Sequence, residues 1–205
     1  MPSDPPVHRE RRERAAGECA AAGVAALLLT PGSDLVYLTG YRMHPSERLT
    51  CLVLGADGDA TLVVPALEEP RARAAAPDLE LVTWEETDDP YRRVADRVQA
   101  RGAIGLADQM WAAFVMRLQP LLEGRDLRPA STVLRRLRMR KDEHERASLV
   151  SGNHEPLEEG MAFSIEPGIY LSGPFGIRIE DIAYIAPDGR AEPLNRADHA
   201  LAVVS

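Results

Sequence analysis

The sequence predicts an α/β fold with a mixed sheet over residues 1–140, followed by a β-rich C-terminal segment. Two observations carry this prediction. Short apolar runs alternate with longer, charged, helix-forming runs through the first two thirds of the chain, and such alternation is typical of α/β domains. Beyond residue 160, two apolar segments flank a turn rich in Gly and Pro, which predicts a β-hairpin.

Each element of the first segment follows from local signals. Helices begin after capping residues and end near Gly or Pro, whereas strands are short apolar runs bounded by turn residues. Strands are predicted over residues 25–30, 50–54, 61–65, 79–84 and 103–106, with a short one beginning at Leu127. Helices are predicted over residues 8–22, 67–75, 90–101, 110–122, 131–137 and 143–150, with a short turn capped by Ser33 or Asp34. The Asp57-Gly58 dipeptide between the second and third strands predicts a hairpin turn.

The hairpin predicted over residues 161–185 carries one carboxylate on each arm. Glu166 and Glu180 are equally far from Gly173 in the turn, so a hairpin folded there puts them opposite each other, to within one residue of bulge. Opposed Cβ atoms lie about 5 Å apart, and two like charges this close need a cation, a shared proton or full solvation. A divalent metal held by oxygen ligands is one explanation of the pair. Two solvent-facing glutamates on an edge hairpin are the alternative.

Two short motifs in this hairpin carry a family resemblance. SIEPGIYL at residues 164–171 and GIRIEDI at residues 176–182 resemble the closing motif of the pita-bread metallopeptidases, which include aminopeptidase P, prolidase and creatinase. The resemblance implies that Glu166 binds one metal ion, that Glu180 bridges two, and that Arg178 supports the site without binding metal. It also implies a divalent metal, usually manganese, and hydrolysis of the peptide bond before proline in a proline-containing peptide, as in an Xaa-Pro aminopeptidase or dipeptidase.

Two further segments extend the resemblance toward the N-terminus. GVAALLLTPGSDLVYLTGY at residues 23–41 resembles the opening of the creatinase-type N-terminal domain, and LRRLRMRKDEHE at residues 134–145 resembles the linker into the catalytic domain. The resemblance implies a ribonuclease H-like α/β domain over residues 1–140, a linker helix over 141–150, and a remnant of the pita-bread α+β domain over 151–205. It also implies a homodimer that the N-terminal domain helps to form.

The resemblance breaks between Val150 and Ser151. A helix that would open the catalytic domain is followed at once by SGNHEPLEEGM, residues 151–161, which resembles the loop before the strand of Glu166. Most of the catalytic domain is missing between them, and with it three of the five expected metal ligands, so no catalytic residue is assigned. We therefore expect this chain alone to be inactive. The alternatives are a non-catalytic dimerisation or binding protein of the same ancestry, or a defective truncated product.

Composition and motif content argue against several other functions. The net charge of −8 argues against nucleic acid as a main partner, and no dinucleotide or phosphate-loop motif occurs. The longest apolar run, residues 20–29, is about half of what a membrane span needs, and the polar N-terminus lacks the apolar core of a signal peptide. Cys19 and Cys51 form no CxxC motif and are expected to be buried free thiols. We therefore expect a cytoplasmic protein without a membrane partner.

The remaining candidate residues receive structural interpretations. The basic cluster over residues 8–14 is interrupted by two glutamates, which favours a solvated helix face over a nucleic-acid contact. Tyr37, Tyr41 and His44 are interpreted as core or rim residues. His154 is interpreted as an exposed loop residue, because a lone histidine does not make a catalytic site.

Overall fold

A computed structural model describes residues 5–139, 157–170 and 176–196. The chain divides into two compact units between Leu137 and Arg138. The helix predicted over residues 143–150, the join at Val150–Ser151 and the loop residue His154 lie outside the described residues. The first unit confirms the predicted α/β class, and the second unit is rich in strands.

The first unit alternates helices with strands. In chain order its elements are α1 (Pro5–Ala22), β1 (Val24–Leu29), α2 (Ser33–Thr39), β2 (Cys51–Gly55), β3 (Ala60–Pro65), α3 (Glu69–Ala75), β4 (Glu80–Trp84), α4 (Pro90–Ala95), β5 (Ala103–Leu106), α5 (Ala112–Leu118), β6 (Leu127–Pro129) and α6 (Ser131–Met139). Short 3-10 helices precede α3 at Ala66–Glu68 and follow α5 at Gln119–Leu122. None of the described helices is long and apolar enough to cross a membrane.

Six strands form one mixed sheet in the order β4-β3-β2-β1-β5-β6. Strand β2 is antiparallel to its neighbours β1 and β3, whereas the other adjacent pairs are parallel. The β2–β3 hairpin turns at the predicted dipeptide, where Asp57 Oδ1 accepts a hydrogen bond from the Asp59 amide at 3.1 Å and Gly58 has φ 94°. That positive φ favours glycine because residues with a side chain rarely adopt it. The predicted mixed sheet is therefore confirmed.

The sheet is covered on both faces by apolar clusters. Alternate residues of β1 divide between them, because successive side chains of a strand point to opposite faces. Leu27 and Leu29 belong to one cluster, and Ala26 and Leu28 to the other. Helices α1, α2, α3 and α6 pack in the first cluster, whereas α4 and α5 pack in the second. Each fully buried leucine contributes about 1.5–3 kcal/mol, so the three layers form a substantial core.

One predicted helix is shorter than its sequence suggests. The helix predicted over residues 90–101 ends at Ala95, because the chain tightens into turns in which the Val98 amide donates to the Ala95 carbonyl at 3.0 Å. Beyond that turn, Arg125 donates to the carbonyl of Ala100. This carbonyl is therefore satisfied by a side chain from another element instead of a helical amide.

The described part of the second unit consists of short antiparallel strands. They are β7 (Ala162–Ile165), β8 (Gly168–Tyr170), β9 (Gly176–Arg178), β10 (Asp181–Ile185) and β11 (Ala191–Pro193). Strands β7, β10 and β11 form one sheet in the order β11-β10-β7, and β8 pairs with β9. The buried cluster here is small and consists of Met161, Ala162, Phe163, Ala183 and Ile185.

Both cysteines are buried free thiols, as the sequence predicts. Burial raises the pKa of Cys19 to about 11. Burial also raises the pKa of Cys51 to about 12. Neither thiol therefore ionises near neutral pH, so we assign both to the core of the first unit.

Candidate metal site

The two glutamates predicted as metal ligands lie on one continuous hairpin built from β7 to β10. The residue pairs nearest to them are Ile165 with Asp181 and Gly168 with Arg178. These two pairs are three residues apart on each arm, so the pairing of β7 with β10 and the pairing of β8 with β9 have the same register without a bulge. Between them the Ile179 amide donates to the Pro167 carbonyl at 3.1 Å. Glu166 therefore lies opposite Glu180, as their equal distance from the turn predicts.

A single arginine binds both glutamates. Arg178 Nη1 lies 2.9 Å from Glu166 Oε2, and Arg178 Nη2 lies 3.2 Å from Glu180 Oε2. Arg178 precedes Glu180 by two residues on the same arm, so both side chains project from the same face. Across the hairpin Arg178 pairs with Gly168, which has no side chain to block the diagonal path to Glu166.

A neighbouring hydroxyl binds one further carboxylate oxygen of the pair. The Ser164 hydroxyl donates a hydrogen bond to Glu166 Oε1 at 2.6 Å, and Ser164 is buried. The aspartate beside Glu180 has its own partner, because the Asn195 side-chain amide donates to Asp181 Oδ1 at 3.0 Å. Ser164 is not among the site residues that the sequence predicts. Its position two residues before Glu166, on the same face of the strand, was the available signal.

The charged face of the hairpin is partly exposed. The side chains of Glu166, Glu180 and Arg178 are 33%, 37% and 49% exposed. Ion pairs at such exposure are screened by solvent and contribute about 0.2–1 kcal/mol each. One guanidinium facing two carboxylates leaves one negative charge uncompensated, so it reduces their repulsion without removing it.

The described residues do not fit the two-metal site that the resemblance implies. Among them, no group of three His, Cys, Asp or Glu side chains could hold a metal ion. A hard divalent cation takes about six or more oxygen ligands, and the Oε2 atoms of both glutamates bind Arg178. The roles of Glu166 and Glu180 as ligands, and of Arg178 as a supporting residue, stay predictions.

The other face of the same hairpin carries four isoleucines. Its isoleucines are exposed to different degrees: Ile165 48%, Ile169 67%, Ile177 51% and Ile179 39%. All four have odd positions in the shared register, whereas the two glutamates and their arginine have even positions. The strand alternation therefore separates the face of the two glutamates and their arginine from the isoleucine face. The charged residue on the isoleucine face is Asp181, which pairs with Ile165.

Two tyrosines of the first unit are core residues, as the sequence predicts. Tyr37 and Tyr41 are buried, whereas His44 is exposed. The Tyr41 hydroxyl donates to Glu68 Oε2 at 3.0 Å. Burial, followed by this hydrogen bond, raises the pKa of Tyr41 well above its ordinary value. These contacts give the tyrosines structural roles.

Three of the five basic residues in the cluster of α1, namely His8, Arg11 and Arg12, are buried. Arg9 and Arg14 are exposed, so the predicted solvated face is correct only in part. His8 Nδ1 donates to the Tyr37 carbonyl at 2.9 Å, and Arg11 Nη1 donates to the same oxygen at 3.0 Å. Arg12 Nη1 donates to the Leu38 carbonyl at 2.8 Å. Both carbonyls belong to the last turn of α2, where the helix dipole favours cations. The three side chains therefore cap α2.

The sequence contained a signal for this burial. The buried residues of α1 are His8, Arg11, Arg12, Ala15, Ala16 and Cys19. They recur at intervals of three and four residues, which is the period of one helix face. The spacing of these residues therefore predicted their burial better than their charge did, because arginine can bury its aliphatic chain while its guanidinium binds main-chain carbonyls.

Comparison with known families now identifies the class of protein. Residues 11–140 match the Creatinase/Prolidase N-terminal domain, so the chain belongs to that family, as the resemblance indicated. Residues 133–187 match Metallopeptidase family M24. The second match includes Glu166, Arg178 and Glu180.

Individual relatives agree with this assignment. The probable dipeptidase PepE of Mycobacterium tuberculosis is 40% identical over 148 residues, which cover 69% of this chain and 39% of that protein. The Xaa-Pro dipeptidase of Lactobacillus helveticus is 57% identical over 49 residues, covering 24% of this chain and 13% of that protein. The chain thus spans 39% or less of the length of these curated relatives.

A solved structure shares the fold. The crystal structure of dipeptidase PepE from Mycobacterium ulcerans superposes with a TM-score of 0.81 at 23% sequence identity. The alignment covers 98% of this chain and 99% of that chain. This likeness supports the creatinase-type fold.

Proposed function

We propose that the chain descends from Xaa-Pro dipeptidases and that it does not hydrolyse peptides by itself. The proposed descent is supported by the M24 match across Glu166 and Glu180 and by the identity to the Lactobacillus helveticus Xaa-Pro dipeptidase. The proposed inactivity rests on one observation, which is that Arg178 binds both glutamates. The ancestral substrate in this proposal is a peptide with proline after the bond to be cleaved.

The chemistry explains why two glutamates are insufficient. When bound, a pair of divalent ions such as manganese supplies a hydroxide nucleophile at neutral pH and polarises the carbonyl that it attacks. Fixing two such ions requires several ligands converging on one place. In the described part of the chain, the glutamates converge on a guanidinium instead.

A peptidase assay on the whole chain tests this proposal. The 205-residue protein is incubated with Mn²⁺ and an Xaa-Pro dipeptide, and the release of proline is measured. We expect no release above that of buffer containing Mn²⁺ alone, and the same baseline for the matched variant Glu180→Ala. Mn²⁺-dependent release by the native chain that disappears in Glu180→Ala would refute the proposal.

The domain division is also part of the proposal. We assign residues 1–140 to the N-terminal domain, 141–150 to a linker helix and 151–205 to a remnant of the catalytic domain. An intact mass from the native source that equals the 205-residue chain, with a continuous DNA read through codons 150 and 151, is the expected result. A much larger mass would mean that the internal segment exists, and the metallopeptidase mechanism would return with Glu166 and Glu180 as ligands.

A non-catalytic dimerisation or binding protein of the cytoplasm is the second candidate. The observation that favours it is the N-terminal unit, whose six-stranded sheet carries apolar clusters on both faces. Sedimentation velocity tests it, with a homodimer as the expected species. A monodisperse monomer without a partner would oppose this candidate, and a chain that does not melt cooperatively would instead indicate a defective truncated product.

A further inference from the structure

Glu166 and Glu180 create an electrostatic problem within the hairpin. Directly opposite residues on neighbouring strands have Cβ atoms about 5 Å apart, and like charges there destabilise the strand pair. The closest remedy is a cation between the two side chains. A divalent ion and a guanidinium are both able to fill that role.

The contacts of Arg178 fit the role of that cation. Its Nη1 and Nη2 atoms bind one glutamate each, at 2.9 and 3.2 Å, and a planar guanidinium presents its donors in a fixed fork. Gly168 lies opposite Arg178, so the diagonal from Arg178 to Glu166 is open. With Ser164 Oγ at 2.6 Å from Glu166 Oε1, three of the four carboxylate oxygens have a described hydrogen-bonding partner.

We propose that Arg178 is the built-in counter-ion of this hairpin and takes the place of a divalent metal between Glu166 and Glu180. The hairpin then forms without metal, and the native chain has no stoichiometric Mn²⁺ site at this pair. Arg178 thereby stabilises the pairing of the two arms at the position where Glu166 lies opposite Glu180. The inference is that an arginine, which the family resemblance makes a supporter of the metal, replaces it here.

Two measurements on the full chain test the proposal without using activity. Electron paramagnetic resonance of free Mn²⁺ reports binding, and hydrogen exchange of peptides covering β8 and β9 reports the stability of the hairpin. The variants are Arg178→Gln, which removes the charge, and Arg178→Lys, which keeps the charge but loses the fork. Arg190→Gln is the matched control, because Arg190 also pairs with an acid two residues away, Asp188, at 3.7 Å.

The expected pattern separates the counter-ion from the metal. Millimolar Mn²⁺ leaves the native chain unchanged in both measurements. In Arg178→Gln the amides of β8 and β9 exchange about threefold faster or more, and Mn²⁺ restores their protection. In the triple variant Arg178→Gln, Glu166→Gln, Glu180→Gln, the amides of β8 and β9 are protected from exchange without metal, and Mn²⁺ does not change their exchange. The control Arg190→Gln gives the same exchange rates as the native chain.

Other results would overturn the proposal. One equivalent of Mn²⁺ bound by the native chain and lost in Glu166→Gln, Glu180→Gln would show that the pair is a metal site that Arg178 supports. Unchanged exchange in Arg178→Gln would show that the arginine is not the counter-ion. If Arg178→Gln does not fold, the triple variant decides: folding restored by removal of both glutamate charges supports the proposal, and a triple variant that also fails to fold contradicts it.

The inference rests on the same contacts of Arg178 as the proposed lack of peptidase activity, but the two can fail separately. A chain that fails to cleave Xaa-Pro peptides could still bind Mn²⁺ at Glu166 and Glu180, and that result would overturn the inference alone. Mn²⁺-dependent proline release with no Mn²⁺ response at the hairpin would overturn the proposed function alone. The two assays therefore distinguish the two failures.

Discussion

Arg12 of α1 donates a hydrogen bond from Nη1 to the main-chain oxygen of Leu38 in α2, at 2.8 Å. Its Nη2 atom binds the carboxylate of Asp78, and both side chains are almost fully buried. A cation at the C-terminal end of α2 is favourable because the helix dipole is negative there. This one side chain therefore links α1, α2 and the segment before β4.

Replacing Arg12 with Met should destabilise the protein while preserving most of the apolar stem. The change removes a hydrogen bond to a buried carbonyl and leaves Asp78 with a weaker partner, Arg9, at 3.6 Å. A hydrogen bond to a charged group contributes about 1.5–3 kcal/mol, so we expect a loss of that size in the free energy of unfolding from urea titration. The control Arg9→Met should change it by less than about 0.5 kcal/mol, and equal effects would contradict this role of Arg12.

His8 should make stability depend on pH. Burial, reinforced by the charges of Arg11 and Arg12, holds the pKa of His8 below its ordinary value of 6.5, against the opposing effects of the Tyr37 carbonyl and Asp78. The unfolded chain therefore binds the proton first, so the contribution of His8 is fully present above about pH 6.5 and declines below it.

The variant His8→Gln isolates this contribution from the carboxylates that titrate in the same range. The free energy of unfolding of the native chain should fall more between about pH 7.5 and about pH 5 than that of His8→Gln. Urea titrations across this range give the difference. Parallel pH profiles would mean that His8 titrates alike in the folded and unfolded states.

Sequence patterns predicted those parts of the structure that depend on neighbouring residues. The opposition of Glu166 and Glu180 followed from the midpoint of a short hairpin, since register there is set by the turn. The role of Arg12 did not follow, because its partners lie 26 and 66 residues away and a charged residue is exposed by default. The contacts of Arg178 with both glutamates could not be predicted, because they depend on side-chain directions that the hairpin register alone does not give.

The order of the strands in the sheet also could not be predicted from local sequence patterns. Alternating helices and strands predicted the α/β class, but the parallel pairing of β1 with β5 joins Leu28 to Leu106. Helices α2 to α4, one 3-10 helix and strands β2 to β4 lie between these two strands in the sequence. Local periodicity contains no information about it, so the class was predictable and the strand order was not.

The two thiols should be inert in the folded protein. Cys51 lies in β2 within the second apolar cluster, and Cys19 lies in α1 within the first. Their raised pKa values, about 12 for Cys51 and about 11 for Cys19, keep the reactive thiolate scarce. We expect a thiol reagent such as Ellman's reagent to label neither cysteine in buffer and both in urea. Rapid labelling of the native chain would contradict the core positions of these residues.

The N-terminal unit should fold without the C-terminal one. A fragment of residues 1–139 retains all six strands of the mixed sheet and both of its apolar clusters. The cluster in the described C-terminal residues contains five buried apolar side chains, from β7, β10 and Met161. The whole segment of residues 151–205 is also near the lower size limit for independent folding.

Urea titration of the fragment followed by circular dichroism measures this difference. We expect one cooperative transition with a free energy of unfolding of about 5–15 kcal/mol. The matched fragment of residues 157–205 should show no cooperative transition, because the buried cluster in its described residues is too small to offset the conformational entropy of the chain. A fragment of residues 1–139 that unfolds without a transition would mean that the sheet needs the C-terminal unit, and the proposed division of the chain would fail with it.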